Sequence, residues 1–338
     1  MRKVEKMLVS FIIVAYNEQD TLTKLFDDIK KQDYPHNLIE VILVDGMSTD
    51  NTRQIMTNFK EDSSNFNRIV IKENEKKTLP CGWNVALKES KGDLIIRVDA
   101  HSTIPSDFIT KNVECIKSGE KICGGFRPNI IDDETSWKRT LLLAETSMFG
   151  SSIAPYRRNI GNTYVKSVFH GAYSKEVFDN VGLYNELLAR TEDNEMHYRM
   201  RKAGYKICFN PEIVSYQHTR NTLKKMLRQK YLNGYWIGLT MGECPQCFSV
   251  YHFIPLLFVL SIIGTSLLTI VGFPVLAIMM WSMYFIVNLL VSILTIKNEG
   301  FTWNNLLLPV LFFLLHVSYG LGSLIGIIKM PFWKKANV

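Results

Sequence analysis

Several short stretches of this 338-residue chain set carboxylates directly after apolar runs or before a helix-period stretch. Asn17 and Glu18 follow the run 10–15, Asp45 closes 41–44, and Asp99, with His101 two residues on, follows 94–98. Thr191, Glu192 and Asp193 stand before an amphipathic stretch at 194–203, which Gly204 ends. In open α/β sheets the ligand sits beyond the carboxyl ends of the strands, so the first three groups have the right placement for a site. The chemistry is not that of a glycine-rich anion cradle, because neither G-x-G-x-x-G nor G-x-x-x-x-G-K-[ST] is present. Carboxylates repel a phosphate. They can hold a base, a ribose hydroxyl, or a divalent cation that in turn holds phosphates. Asp193 reads both as a cap for the helix after it and as a proton acceptor, and the two roles are compatible.

The elements that must position these groups alternate. After the first apolar run a helix-period stretch covers about 20–32 and ends before Pro35; Ser48, Thr49 or Asp50 can cap the next helix, which runs to about Lys60. Residues 69–71 read as a third strand, 83–90 as a helix and 94–98 as a fourth strand. Short apolar strands alternating with helices predict an α/β fold with a mostly parallel sheet covered on both faces.

Charge is distributed unevenly. Of 39 basic and 32 acidic residues, only Lys297, Glu299, Lys329, Lys334 and Lys335 follow Gln246. Three runs free of Asp, Glu, Lys and Arg, at 250–272, 274–296 and 306–328, are each about 33 Å long as helices, enough to cross a hydrocarbon core of about 30 Å. Gly272-Phe273-Pro274 separates the first two as a hairpin. This excludes a wholly soluble protein, a disordered tail and a collagen-like chain. The expected division is 1–219 for the soluble domain, 220–247 for a basic amphipathic segment, and 248–338 for the membrane domain. Arg220, Lys224, Lys225, Arg228 and Lys230 carry the charge of the middle segment, and Leu223, Met226, Leu227 and Tyr231 recur at helical spacing beside them. Such a helix lies in the plane of an anionic membrane surface or packs on the soluble domain. No zinc, homeodomain or RNP pattern accompanies the basic block, which argues for membrane lipids and against nucleic acid. Six scattered cysteines do not form the framework of a small secreted domain, and the opening residues do not read as a signal peptide, so the amino-terminal domain is expected to stay in the cytoplasm.

Val14-Ala15-Tyr16-Asn17-Glu18, Val44-Asp45-Gly46-Met47-Ser48-Thr49-Asp50, Val98-Asp99-Ala100-His101 and Thr191-Glu192-Asp193 together resemble the successive motifs of the family-2 inverting glycosyltransferases with the GT-A fold. The nearest likeness is to bacterial exopolysaccharide transferases of the succinoglycan type, which similarly append hydrophobic helices. The resemblance covers roughly residues 8–240. It implies a GT-A, Rossmann-like sheet in which Asp45 reads the nucleotide base, while Asn17, Glu18 and the backbone near Ala15 line the nucleotide pocket. Asp99 then holds ribose or metal-bound water, and the third residue of the D-x-D pattern ligates the cation. Here that residue is His101, which favours manganese over magnesium, imidazole being the softer ligand. His218 is placed to complete the metal site. Asp193, beside Glu192, becomes the base that deprotonates the acceptor hydroxyl. Gly82, Trp83 and Asn84 resemble the family's G-x-N loop near the nucleotide, and Gly124-Gly125 reads as a close approach to the sugar or as a bulge. His170-Gly171-Ala172 before a helix offers N–H groups to acceptor or sugar oxygens. Arg228, Gln229 and Tyr231 stand where processive synthases carry Q-x-x-R-W. That element itself is absent, which argues against processivity and leaves a solvated basic face as the other reading.

The expected protein is therefore a multi-pass enzyme of the plasma membrane that moves a sugar from a nucleotide-diphospho sugar, UDP first, to a lipid-linked saccharide. The alternatives are a polyprenyl-phosphate sugar transferase and a membrane scaffold that only binds nucleotide sugar. The latter has no use for a base.

Overall fold

The computed structural model describes residues 6–150, 157, 158, 161–219 and 222–337; the first five residues and Arg220 of the basic block lie outside them. The chain forms two compact units, Met1–Pro128 with Ala154–His218, and Asn129–Ile153 with Thr219–Val338. Residues 129–153 thus group with the apolar carboxyl-terminal segment, a division that the charge pattern alone does not mark.

In the first unit strands β1 (Val9–Ala15), β2 (Ile39–Asp45), β3 (Arg68–Glu73) and β4 (Leu94–Arg97) alternate with helices α1 (Leu22–Lys30), α2 (Thr52–Glu61) and α3 (Leu79–Glu89). There follow β5 (Ser102–Thr103), α4 (Phe108–Lys117) and β6 (Ile122–Phe126). After β7 (Asn129–Ile130) and α5 (Ser136–Thr146) of the second unit come β8 (Thr163–Val165), β9 (Gly171–Ser174), α6 (Lys175–Val181), α7 (Glu192–Lys202), β10 (Ile207–Val214) and β11 (Tyr216–His218). Eight strands make one sheet in the order β3-β2-β1-β4-β9-β6-β10-β8. It is mostly parallel: β2 and β4 flank β1, with Ala15 opposite Asp45 and Ile12 opposite Arg97. The antiparallel members are β9, between β4 and β6, and the edge strand β8.

Every residue of β1 and β2 is buried, as continuous apolar strands covered on both faces require. Period-2 alternation divides them between two cores. Phe11, Ile13, Val41 and Leu43 pack with Leu22, Leu25, Phe26 and Ile29 of α1 and Met56 and Phe59 of α2. Ile12, Val14, Ile42 and Val44 pack with Trp83 and Ala86 of α3 and Met196 and Met200 of α7. The buried residues of α1 recur at i, i+3, i+4 and i+7, the stripe that a surface helix presents to a core. Because β1, β2 and β4 run parallel, Ala15 and Asp45 emerge at one edge of the sheet, and the loops after the three strands carry polar residues there.

In the second unit α8 (Leu223–Thr240), α9 (Ile254–Ile270), α10 (Val275–Glu299) and α11 (Leu308–Asn337) follow α5. Among the described residues three segments are long and apolar enough to cross a membrane, Val250–Ile270, Val275–Glu299 and Trp303–Lys335. The third is 33 residues long, well beyond the expected 306–328, so it exceeds the span of a hydrocarbon core by more than two turns. It packs closely on α8. Along α8, Gly234 and Gly238 meet the backbone of α11 at Tyr319, Ser323 and Ile327, while Gly322 and Gly326 of α11 meet the carbonyls of Tyr231 and Tyr235. Reciprocal small residues four apart let two helix backbones approach closely. The basic helix is thus packed along α11; Met226, expected on its apolar face, is buried among Leu141, Leu311 and Phe312. Lys230 of the same helix forms a buried ion pair with Glu145 of α5 at 2.8 Å.

Candidate active site

The loops after β1 and β2 are zipped together by their own polar groups. Asn17, in the left-handed region at φ 54°, accepts from the Thr49 backbone through Oδ1 at 2.8 Å and donates its own N–H to Ser48 Oγ at 3.0 Å. The Glu18 N–H donates to Thr52 Oγ1 at 2.8 Å, and Asp45 Oδ1 accepts from the Ser48 N–H at 3.1 Å. Asp50 joins them: its Oδ1 accepts from the N–H of Thr52 and its Oδ2 from that of Gln19. The site edge is therefore built from Ala15, Asn17, Glu18 and Asp45 without a glycine-rich turn. Tyr16, 51% exposed, lies against Gly46 at the same edge. Nothing in the sequence around Tyr16 marks it out from the other residues of the first motif.

Asp99 follows β4. Burial alone would raise its pKa, but His170, His101, Arg97 and Arg127 together outweigh that and lower it, so the carboxylate is ionised at neutral pH. His101 Nδ1 lies 3.3 Å from Glu18 Oε1. A neutral His101 donating there has its other lone pair on Nε2, the tautomer in which a second carboxylate orients a metal-ligating imidazole. Among the described residues no three His, Cys, Asp or Glu side chains converge on a point that could hold an ion. His218, on β11, is engaged through Nε2 with Thr103 Oγ1 at 2.9 Å, and the expected trio of Asp99, His101 and His218 is not assembled. The carboxylate of Asp99 and the imidazole of His101 are donors of the type that a cation taking its remaining ligands from substrate phosphates can use.

Two sets of second-rank candidates sit differently from expectation. Gly82 and Asn84 belong to helix α3, which starts at Leu79 with Pro80 in its first turn, and not to a loop before it. A Cβ at Gly82 would collide with Val14, so this glycine lets α3 approach β1. Asn84 clamps the segment after α6: its Nδ2 donates to the Tyr184 carbonyl and to Glu186, and its Oδ1 accepts from the Tyr184 N–H at 2.8 Å. His170 and Gly171 do not stand at a helix N-terminus. Gly171 opens strand β9 opposite Gly124, which removes the helix N–H groups on which the acceptor role was argued. His170 is buried between Ser215 at 2.8 Å and Ser102 at 3.1 Å, with Asp99 at 3.9 Å, and burial pushes its pKa down to about 3. It braces the segment after Asp99 through its bond to Ser102. Arg228 and Tyr231 lie on α8 of the second unit, where Tyr231 stacks on Tyr235.

Glu192 and Asp193 form the first turn of α7, one residue inside the helix and not ahead of it. The N-cap is Thr191, so the capping reading of Asp193 is not realised. Asp193 Oδ1 accepts from the N–H of Asn194 at 2.8 Å and its side-chain amide at 3.0 Å. Burial raises the pKa of both acids, and for Glu192 the neighbouring Asp193 raises it further. A carboxylate shifted upward is the better proton acceptor near neutral pH. Two buried arginines were not legible as site residues. Arg97 pairs with Glu192 at 3.3 Å. Arg127 bonds Gln217 and lies 3.7 Å over the Phe169 ring.

A mostly parallel sheet whose strand ends carry acids, with a pair of acids opening a helix beyond it, is the architecture of GT-A transferases. At 16% identity and a TM-score of 0.57, over 98% of this chain and 89% of the other, the same fold occurs in a mannosyltransferase from Pyrobaculum calidifontis solved with GDP-Man and Mn2+. Residues 10–182 match the family model described as glycosyl transferase family 2, and the chain belongs to that family: it is a glycosyltransferase. Among curated relatives it is 28% identical over 330 residues, 95% of this chain and 97% of the other, to a dolichyl N-acetyl-alpha-D-glucosaminyl phosphate 3-beta-D-2,3-diacetamido-2,3-dideoxy-beta-D-glucuronosyltransferase from Methanococcus voltae. It is 26% identical over 233 residues, 67% of each chain, to the succinoglycan biosynthesis protein ExoA of Rhizobium meliloti.

Proposed function

We propose that this transferase is an inverting enzyme anchored by its apolar helices in the plasma membrane, with the catalytic unit on the cytoplasmic side. It transfers a sugar from a nucleotide-diphospho sugar, UDP-sugars first, to a hydroxyl of a lipid-linked saccharide. The observation that carries this reading is the pair Glu192–Asp193, the first buried against Arg97 and the second half-buried, both in electrostatic reach of Asp99. A raised carboxylate suits a hydroxyl acceptor, which must lose a proton. A polyprenyl phosphate is already ionised and has no need of such a base. The Methanococcus relative, whose name describes transfer to a dolichyl-linked aminosugar, supports the lipid-linked acceptor because the similarity extends through the apolar helices.

Asp45, Asn17, Glu18 and the Ala15 backbone bind the nucleoside of the donor. Asp193 takes the proton of the acceptor hydroxyl as that oxygen bonds the anomeric carbon; the bond from that carbon to the diphosphate oxygen breaks on the opposite face. The nucleoside diphosphate leaves with the electron pair. Asp99 and His101 would hold a divalent cation, Mn2+ before Mg2+, which supplies positive charge to the departing diphosphate. The test is a panel of UDP-, GDP- and TDP-sugars with detergent-purified protein, Mn2+ or Mg2+ and lipid extract, read as release of nucleoside diphosphate. Turnover of one donor class is expected. Tight binding with no release from any donor would mean a nucleotide-sugar-binding scaffold and overturn the reading.

A further inference from the structure

Arg97 is a buried cation paired with Glu192, the first residue of α7. It lies on β4 opposite Ile12, on a face otherwise filled by apolar side chains such as Ile95, Ile12 and Val14. Its guanidinium carbon is 4.7 Å from the Trp83 ring centroid and 5.6 Å from that of Tyr184, so two aromatic faces hold it. One terminal nitrogen donates to the Tyr184 hydroxyl and the other to Glu192 Oε1, both at 3.3 Å, and Arg97 and Glu192 are each 3% exposed. Its Nε is buried without a hydrogen-bond partner. Desolvating such a pair is costly, and apolar residues of similar volume would often stabilise as well or better. Stability therefore does not account for a charge at this position of the strand.

We propose that Arg97 is a positioning residue for the transfer step: fixed between Trp83 and Tyr184, it grips the Glu192 carboxylate, sets the first turn of α7 and thereby presents Asp193 to the acceptor hydroxyl. The inference rests on Asp193 being the base, as proposed above. It explains why two adjacent acids are present. Glu192 is held by the guanidinium, and Asp193, half-buried and tied within its own helix turn, meets the substrate. It also links the strand carrying Asp99 to the helix carrying the base, so donor site and base share one rigid connection.

Besides Arg97, the ionisable groups acting on the two acids are Asp99 after β4, Tyr173 on β9 and Tyr184 before α7. Burial is the largest influence and raises both acids. Asp193 and Asp99 push Glu192 the same way, and Arg97 opposes the rise in both. Removing the cation therefore leaves the acids protonated to higher pH, and a base that works deprotonated loses activity from the acid side.

The test uses the full-length protein with the nucleotide sugar that the native enzyme turns over fastest in the panel, read as nucleoside diphosphate release across pH. Arg97→Met is expected to lower kcat by about tenfold to a hundredfold and move the acid limb of the kcat profile up by about one to two pH units. The donor KM should change less than about twofold, since Arg97 makes no donor contact in this account. Arg97→Lys, which restores the charge without the fork, should return the limb most of the way while leaving kcat intermediate. An unmoved limb in a folded Arg97→Met protein overturns the proposal. So does a loss of kcat that follows the folded fraction in both variants, or failure of both to fold, because the role is then structural. If Arg97→Met alone fails to fold, Arg97→Gln carries the same test. Native protein inactive on every donor sinks the functional reading itself; native activity with an unmoved limb sinks this inference alone.

Discussion

Asp193→Asn is expected to lower transfer by about a hundredfold or more while leaving donor affinity within about twofold, the difference a positioned general base makes. The substitution preserves the shape of the side chain, and its amide oxygen can still accept from Asn194, so the first turn of α7 should persist. What it removes is the capacity to take a proton. In the native protein burial raises the Asp193 pKa from its ordinary value. The base works when ionised, so native activity should fall as pH drops through that raised value, earlier than an exposed aspartate would require. The variant should show low activity with no such limb. Transfer at the native rate would reduce Asp193 to a structural residue of the helix turn, and a matching loss of nucleotide affinity would place it in donor binding instead.

Removal of divalent ions should have an effect of similar size. Excess chelator is expected to lower activity by about a hundredfold, because several kcal/mol of charge stabilisation on the leaving diphosphate is lost. Re-addition of Mn2+ should restore more activity than Mg2+, since His101 is the softer ligand beside Asp99. His101→Asp should keep part of the activity and shift the preference toward Mg2+. His101→Ala should weaken UDP binding in the presence of metal and leave it unchanged without. Activity undiminished in chelator would transfer the task of neutralising the diphosphate to basic side chains, with Arg127 the first to replace.

The parallel core of the sheet was legible because β1, β2 and β4 are short, largely apolar and buried, and a polar group closes or soon follows each: Asn17 after β1, Asp45 at the end of β2 and Asp99 after β4. The antiparallel strand β9 was not. Gly171–Ser174 is four residues long, has no apolar alternation, and runs directly into α6 through Ser174, so it reads as the lead-in to a helix. A signal was present for α3 and passed over: Thr78-Leu79-Pro80 marks a helix start several residues before Trp83, which turns the Gly82 and Asn84 loop into a helix interior. Arg97 could not be singled out from the sequence, because one arginine ending an apolar strand looks like a strand terminus reaching solvent. Only the fold brings Trp83, Tyr184 and Glu192 around it. Residues 129–153 were equally opaque. Their grouping with the apolar helices rests on contacts distant in sequence, such as Thr140 with Asn305 at 2.6 Å, and no local pattern announces them.

The stereochemistry of a single turnover tests the account most directly. One base and no covalent sugar intermediate mean one displacement at the anomeric carbon, so the transferred sugar must carry the opposite anomeric configuration from the donor. With the active nucleotide sugar and a lipid-linked acceptor, the proton coupling at the anomeric carbon of the isolated product should show a β-linkage formed from an α-linked donor. An α-linked product from that donor would contradict single displacement with Asp193 as the base.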